Sequence, residues 1–565
     1  MKIKSNNLLK SSEYKAIEKW PIALQNNRRG ELVQEIIDST TKRYIQLDND
    51  TLESIISKSI YLEKQRIKID PWKVDPPNEV VFWNKAKKKL DQSLLLEDKI
   101  LQKEKLLQIV QRITKRYAEE IVGHFKIETF FFARKFLTIF FKGIFDRLNL
   151  LDFFRWENAK NKLIGHFHVT GNIEVVQELF KQGTVVILPT HSSNLDSILI
   201  GYTLDQVAKL PAFSYGAGLN LFNNSIAAFY MNRLGAYRVD RRKKNPIYLD
   251  SLKNMSSISV EDGTNTIFFP GGTRSRDGRI ESKLKLGLLG SLIDAQRAAL
   301  QNKQNNKIFI VPLIVSYESV LEAGQLVEQH LKRTGKEQYS SQINRKWNFI
   351  KVLKLIRNIF FRKNDVYFSF GQPMDVIGNI VNIKGESLDK YGNKIEIQSY
   401  FEFQGEINVD NQRESEYTKL LGKKVGDVYL KENMVLPTHF ISFVCINLLK
   451  EKFKNQDIFD ILRLPKSDWS LDFSAVELAS NEARELFVAE AENTTFLVSK
   501  HFKQNTPSLV LYSIKNTGIY HVLAPLKLNK NLSQLIINDL PIIYFYYNRL
   551  ADYELDSRIK WNKYI

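Results

Sequence analysis

The amino-acid sequence predicts an α/β layer architecture in its middle, flanked by helical regions. Three observations lead there. Short β-branched runs alternate with helical stretches from about residue 160 to 375, the pattern of strands and helices that pack as layers. The stretch before them repeats apolar residues at helical spacing with few Gly or Pro. Polar motifs rich in His, Gly and Arg follow the apolar runs directly, where ligands of such sheets sit.

Taken in order, residues 1–150 read as a helical N-terminal region. Leu96–Ile113 carries the clearest helical period, and Pro71–Pro77 (PWKVDPP) breaks two helical stretches. Residues 155–375 form the α/β region. Its expected strands are Thr184–Leu188, Thr266–Phe269, Ile308–Val311 continued by Leu313–Val315, and Val366–Phe370. Residues 376–420 read as a small β insertion, with a turn at Tyr391-Gly-Asn393 and alternation at Ile395 and Ile397. Residues 421–565 return to mainly helical patterns, such as Ala475–Val488.

Composition narrows the partners. Lys and Arg outnumber Asp and Glu by 82 to 63, a net charge of +19, which attracts polyanions: nucleic acid, anionic lipid or phosphorylated metabolites. The single cysteine, Cys445, excludes an internal disulfide and a Cys-based zinc site. The N-terminus lacks the apolar stretch of a secretion signal, and no window holds the roughly 20 apolar residues of a spanning helix. Thr129–Phe145 comes nearest, but Arg134, Lys135 and Lys142 interrupt it. Such an aromatic, basic, amphipathic helix suits the membrane interface and equally a core edge.

Two constellations carry chemistry. Strand Thr184–Leu188 runs into Pro189-Thr-His191-Ser-Ser-Asn-Leu-Asp196. Ser192, Ser193 and Asn194 favour a helix start, which lets Asp196 reach back to one imidazole nitrogen and leaves the other as a base for an attacking alcohol. Backbone N–H groups at this helix start are candidates for an oxyanion site. His166 and His168 alternate on a strand edge without a nearby acidic or sulfur partner in the sequence, so no metal is assigned. The second constellation follows strand Thr266–Phe269: Pro270-Gly-Gly-Thr-Arg-Ser-Arg-Asp-Gly-Arg279. Gly271 and Gly272 admit close backbone approach to an anion, and Arg274 and Arg276 offer bidentate donors for phosphate. Lys283 and Lys285 follow, and Arg238, Arg241 and Arg242 form a third basic group. Asp240 and Asp277 are alternative internal partners for these cations. The loop lacks the spacing of nucleotide-binding loops.

These residues resemble the glycerolipid acyltransferase family. His191–Asp196 matches its H-x4-D block, Gly235–Arg242 its second, Phe269–Ser275 its third and Ile310–Leu313 its fourth, in order, over about residues 183–320. Gly216–Leu221 (which contains Asn220), the extended Gly-Thr-Arg-Ser-Arg-Asp-Gly-Arg279 and Val315–Glu322 resemble the glycerol-3-phosphate acyltransferase branch. The resemblance implies a mixed β-sheet wrapped by helices. It implies His191 as base, Asp196 as its support, and Arg241, Arg274 and Arg276 on the acceptor phosphate, with Gly272 and Thr273 in the cradle. Arg238, Arg242, Lys283, Asn220, Pro312 and Glu318 are secondary candidates; Pro312 would shape the wall near the thioester. The implied partners are glycerol 3-phosphate, acyl-CoA or acyl carrier protein, and an anionic membrane surface at the cytoplasmic face. No cofactor, metal or nucleic acid is expected. One residue departs from the family pattern: Gly271 stands where the third block usually has Glu, which bears on the acceptor, and Glu318 is the candidate replacement. The competing readings are another acceptor, such as lysophosphatidate, and a non-catalytic lipid- or nucleic-acid-binding protein on the same scaffold.

Overall fold

A computed structural model describes residues 17–145, 156–219, 222, 225–304, 306–336, 364–454, 456–521, 523–529, 531 and 533–565. Six helices come first: α1 (Pro21–Asn27), α2 (Arg29–Ile45), α3 (Asn49–Ile69), α4 (Glu79–Leu94), α5 (Lys99–Ile121) and α6 (Ile127–Phe145). Asp48 and Asp98 start α3 and α5 by accepting backbone N–H bonds from their first turns. The α/β region then carries α7 (Trp156–Ile164), β1 (Phe167–Gly171), α8 (Ile173–Leu179), β2 (Gly183–Pro189), α9 (Asp196–Gln206), β3 (Ser214–Gly218), α10 (Ser225–Met231) and β4 (Ala236–Val239). It continues with α11 (Pro246–Glu261), β5 (Thr266–Ile267), α12 (Leu286–Gln301), β6 (Lys307–Tyr317), α13 (Ala323–Arg333) and β7 (Val366–Phe370).

The seven strands form one mixed sheet in the order β1-β7-β6-β2-β5-β3-β4. Neighbours run parallel except β6 and β7. The mixed sheet wrapped by helices is thus present. Both faces are covered, which explains why β2 reads as an unbroken apolar run. Val185 and Ile187 enter one core with α9, while Val186 and Leu188 enter another with α12 and the helix Asn411–Lys431.

Several expectations need adjusting. The two apolar runs around Pro312 are one strand, β6. Its pairing with β7 ends at Leu313–Phe370, so the proline's missing N–H falls on the side where β7 has already ended, and its carbonyl accepts from the Gly371 N–H at 2.9 Å. Strand β5 stops after two residues rather than four, releasing Phe268 and Phe269 into the loop. The β insertion is a three-stranded meander and a hairpin that finish at Ile407. The last ten residues assigned to it, 411–420, belong instead to the helix Asn411–Lys431, capped by Asp410.

The flanking regions share cores with the sheet layer. Helices α2–α5 pack on Tyr237, Ile247, Tyr248, Leu252 and Met255. The C-terminal region is mainly helical and includes a three-stranded sheet of Leu471–Asp472, Gln534–Ile537 and Leu526–Leu528. Cys445 is buried in its core, where burial pushes the thiol pKa up.

Helix α6 covers the interrupted aromatic stretch. Arg134 is not spent on solvent: it pairs through two bonds, 2.8 and 2.7 Å, with Asp205 of α9. Lys142 is buried. The face left outside is aromatic, with Phe131, Phe132, Phe136 and Phe140 exposed. Among the described residues no helix is long and apolar enough to cross a membrane.

Candidate active site

The site forms where β2, β5 and β6 end. The chain leaves β2 through Thr190, whose N–H bonds to the Leu313 carbonyl (2.9 Å) and whose hydroxyl accepts from the Val315 N–H (3.1 Å). That anchoring presents His191 at the sheet edge. Asp196 opens α9 and is fully buried. Its Oδ2 accepts from His191 Nδ1 at 2.8 Å and from the Ser192 and Ser193 N–H groups at 2.7 and 2.8 Å. Its Oδ1 accepts from the Tyr317 hydroxyl at 2.5 Å. These four donors fix the carboxylate in place, and its bond to His191 holds the Nδ1–H tautomer, leaving Nε2 for chemistry. The imidazole stacks on Phe269, centroids 4.2 Å apart, which the early end of β5 makes possible.

The N–H groups at the start of α9 are already engaged. Those of Ser192 and Ser193 serve Asp196, and that of Asn194 bonds to Glu322. The expected oxyanion donors are therefore not free, because the same turn must satisfy a buried carboxylate.

The Gly-rich loop folds over this pair. The Ser275 N–H bonds to the His191 carbonyl at 2.8 Å, and Gly272 turns in the left-handed region (φ +75°) with its N–H on the Phe269 carbonyl. Arg274 reaches Glu322 at 3.4 Å, the carboxylate that also accepts from the Ser193 hydroxyl. Arg276 bonds to Gln329 (3.3 Å). Burial, with Arg333, Arg274 and Arg241 nearby, lowers the Arg276 pKa. Desolvation, with Arg274, lowers that of Arg241. Arg241 keeps solvent exposure, so water screens much of this repulsion. The three guanidinium groups are thus close enough to disfavour one another's charge, and Glu322 is the carboxylate near Arg274.

The other basic candidates divide sharply. Arg242 is held by Asp240 and Asp75, the former at 2.8 Å, and covers Trp72. Lys243 is paired with Glu120 at 2.6 Å. Arg238 bonds to Asn232 (2.7 Å) over the Phe222 ring. These side chains fasten the second block to its surroundings, whereas the exposed Arg241 has no ion pair or side-chain hydrogen bond among the described residues. Lys283 is exposed at the surface. Pro312 is buried inside β6 against Gly371. Thr273 lies in the loop, partly buried. Asn220 lies outside the described residues.

Glu318 does not reach the site. It is buried behind β6, with Asp365 among its neighbours, and burial pushes its pKa up to about 8. The carboxylate that does stand beside Gly271 is Glu281. Its Oε1 accepts from the His191 N–H at 3.3 Å, and a Cβ at Gly271 would fall 2.2 Å from its Oε2. Sequence spacing gave no signal for it, since nine residues of loop lie between the two. His166 and His168 do have an acidic partner: Asp365 takes one bond from each ring, at 2.8 and 3.0 Å. Those bonds hold its pKa well below the usual range against the desolvation that opposes them. Among the described residues, no three His, Cys, Asp or Glu side chains are grouped to hold a metal.

The C-terminal region closes the rear of the site. A cavity there is lined by Ser192, Ser275, Ser316, Tyr317, His439 and Arg549. Arg549 is buried, bonded to Asn433 (2.8 Å) and Ser316 (3.2 Å). Asn548 donates to the Asp277 carbonyl at 2.8 Å, so this region fastens the Gly-rich loop, a contact no local motif announces.

Comparison with known proteins agrees with this geometry. Residues 167–316 match the family model described as Acyltransferase. The chain is 29% identical over 218 residues to a protein named glycerol-3-phosphate acyltransferase from Haemophilus ducreyi, covering 38% of this chain and 25% of that protein. Proteins of the same name from Haemophilus influenzae (28% over 223 residues) and Aeromonas hydrophila (29% over 224) each align with 39% of this chain and 25% of their own length. The alignment thus spans about a quarter of the curated relatives. Residues 167–316 are thus similar to the acyltransferase family, and the relatives that align with this chain carry the name glycerol-3-phosphate acyltransferase.

Proposed function

We propose that this chain transfers a fatty acyl group from a thioester, carried on coenzyme A or acyl carrier protein, to the sn-1 hydroxyl of glycerol 3-phosphate. The observation that carries the proposal is the 2.8 Å bond from His191 Nδ1 to a fully buried Asp196, with Arg241, Arg274 and Arg276 gathered beside it. The relatives' names supply the acceptor, and three clustered guanidinium groups suit its phosphate.

The geometry supports the following steps. Arg241, Arg274 and Arg276 bind the acceptor phosphate, with Gly272 and Thr273 in the turn beside it. His191 Nε2 takes the proton of the acceptor hydroxyl as that oxygen bonds to the thioester carbonyl carbon. Asp196 stabilises the imidazolium that forms. The tetrahedral intermediate then collapses, the C–S bond breaks, and the departing sulfur takes the proton back from His191. Cys445 is buried far from this pair in sequence and in core, so transfer is direct, without an acyl-enzyme. Neither metal nor cofactor enters the reaction. Catalysis takes place at the cytoplasmic membrane face, to which the +19 chain is drawn by anionic lipid.

Purified protein supplied with labelled glycerol 3-phosphate and either acyl-CoA or acyl carrier protein thioester is expected to form lysophosphatidate. Product from lysophosphatidate but not from glycerol 3-phosphate would replace the acceptor, and no transfer to any acceptor would leave a binding role.

A further inference from the structure

Glu281 is a partly buried residue, its Oε2 fully enclosed, beside the His191–Asp196 pair, and the proposed chemistry does not use it. The His191 peptide is clamped between two bonds from one loop: its N–H donates to Glu281 Oε1 at 3.3 Å, and its carbonyl accepts from the Ser275 N–H at 2.8 Å. Glu281 Oε2 has no hydrogen-bond partner among the described residues. It occupies space that exists only because residue 271 is glycine, since a Cβ there would lie 2.2 Å away.

We infer that Glu281 is a positioning residue for His191: its carboxyl fills the space left by Gly271, holds the His191 peptide, and sets the charge that the imidazole feels. The charged and titratable groups around it are Asp196 and His191 from the β2–α9 turn, Arg549 from the C-terminal region, and Tyr429 from the helix Asn411–Lys431. Desolvation, then Asp196, push its pKa up to about 8, against the N–H bonds of His191 and Gly271 and the charge of Arg549. Below that pH the Glu281 carboxyl is neutral. Above it a carboxylate bonded to the His191 peptide adds negative charge near the imidazole, which favours imidazolium. Ionisation of Glu281 therefore enters the titration of the base as a second inflection. A protonated carboxyl also explains the unpaired oxygen, because a buried charge with one free lone-pair face is costlier than a buried acid.

The inference rests on the proposed acyl transfer for its kinetic readout only. Glu281→Gln keeps an acceptor for the His191 N–H and cannot ionise. It is expected to retain most of kcat while losing an inflection near pH 8 in the pH profile. Glu281→Ala removes one side of the clamp and is expected to lower kcat about 10-fold or more, as small misplacements of a base do, with KM for the acceptor little changed. Histidine side-chain NMR titration of the full chain, with His191 assigned by comparison with His191→Ala, gives a readout without substrate. The second inflection should be present in the wild type and absent in Glu281→Gln. A Glu281→Ala variant with unaltered kcat, or a His191 titration indifferent to Glu281→Gln, overturns the inference. A wild type with the coupled titration but no acyl transfer would overturn the proposed reaction and leave the positioning role standing.

Discussion

At the scale of single side chains, adjacent arginines have opposite uses. Arg242 sits in a nearly closed cage of Asp75, Asp240 and Trp72, whereas its neighbour Arg241 has no ion pair among the described residues and lies within electrostatic reach of Arg274. Arg241→Ala and Arg274→Ala should raise KM for the phosphate-bearing acceptor with little change in melting temperature. Arg242→Ala should leave KM near wild type and lower stability by about 3 kcal/mol, the cost of stranding buried carboxylates. Thermal unfolding and acceptor kinetics on the three variants test this split. For the base, His191→Ala should reduce kcat by ~10²–10⁴. Asp196→Asn, which removes the charge that supports the imidazolium, should reduce kcat without displacing KM. Unchanged transfer in His191→Ala would remove the imidazole from the mechanism.

At the scale of elements, α6 is fastened by one face and presents the other. Ala133, Thr138, Phe141, Ile144 and Phe145 face inward, and the Arg134–Asp205 pair locks the helix to α9. Outside, Phe132 and Phe136 stack on Tyr230 of α10 with centroids 6.3 and 6.1 Å apart, and Arg233 covers the exposed Phe229 at 4.0 Å. Exposed aromatics beside cations suit an interface of anionic headgroups and acyl chains. Phe132→Ser with Phe136→Ser should weaken sedimentation with anionic vesicles while acyl transfer in detergent persists. Retained vesicle binding would move the docking surface elsewhere, and the basic run Lys85–Lys89 on α4 is the next element to test.

At the scale of the whole molecule, buried acids give stability a pH slope. Glu318 has its folded pKa raised from 4.5 to about 8, and its carboxyl oxygens lack side-chain hydrogen bonds among the described residues. Between those two values the unfolded chain has released a proton that the folded chain retains, so stability declines as pH rises through that window and levels off above it. Glu318→Gln should therefore flatten the fall of the melting temperature between pH 5 and 8, measured by thermal unfolding across that range. Asp365 has the opposite sign. Its folded pKa is depressed, so its contribution is present above about pH 4 and is lost only in acid, outside the window where Glu318 acts.

Local patterning alone determined the α/β class, the strand β2, and the two motifs that follow β2 and β5, because strand burial and helix starts are written in neighbouring residues. His191 and Asp196 were legible for the same reason: five residues and one turn suffice to join them. What only the tertiary structure decided depends on chain segments far apart in sequence. Asp365 answers His166 and His168 across about 200 residues. Asp75 takes Arg242 out of the anion-binding set. Arg549 and Asn548 close the site from the C-terminal region. Glu281, not Glu318, fills the space at Gly271. A charge in a sequence has no assigned partner until folding brings one within a few ångströms, and in a low-dielectric interior that partner decides whether the group binds a ligand or holds the fold.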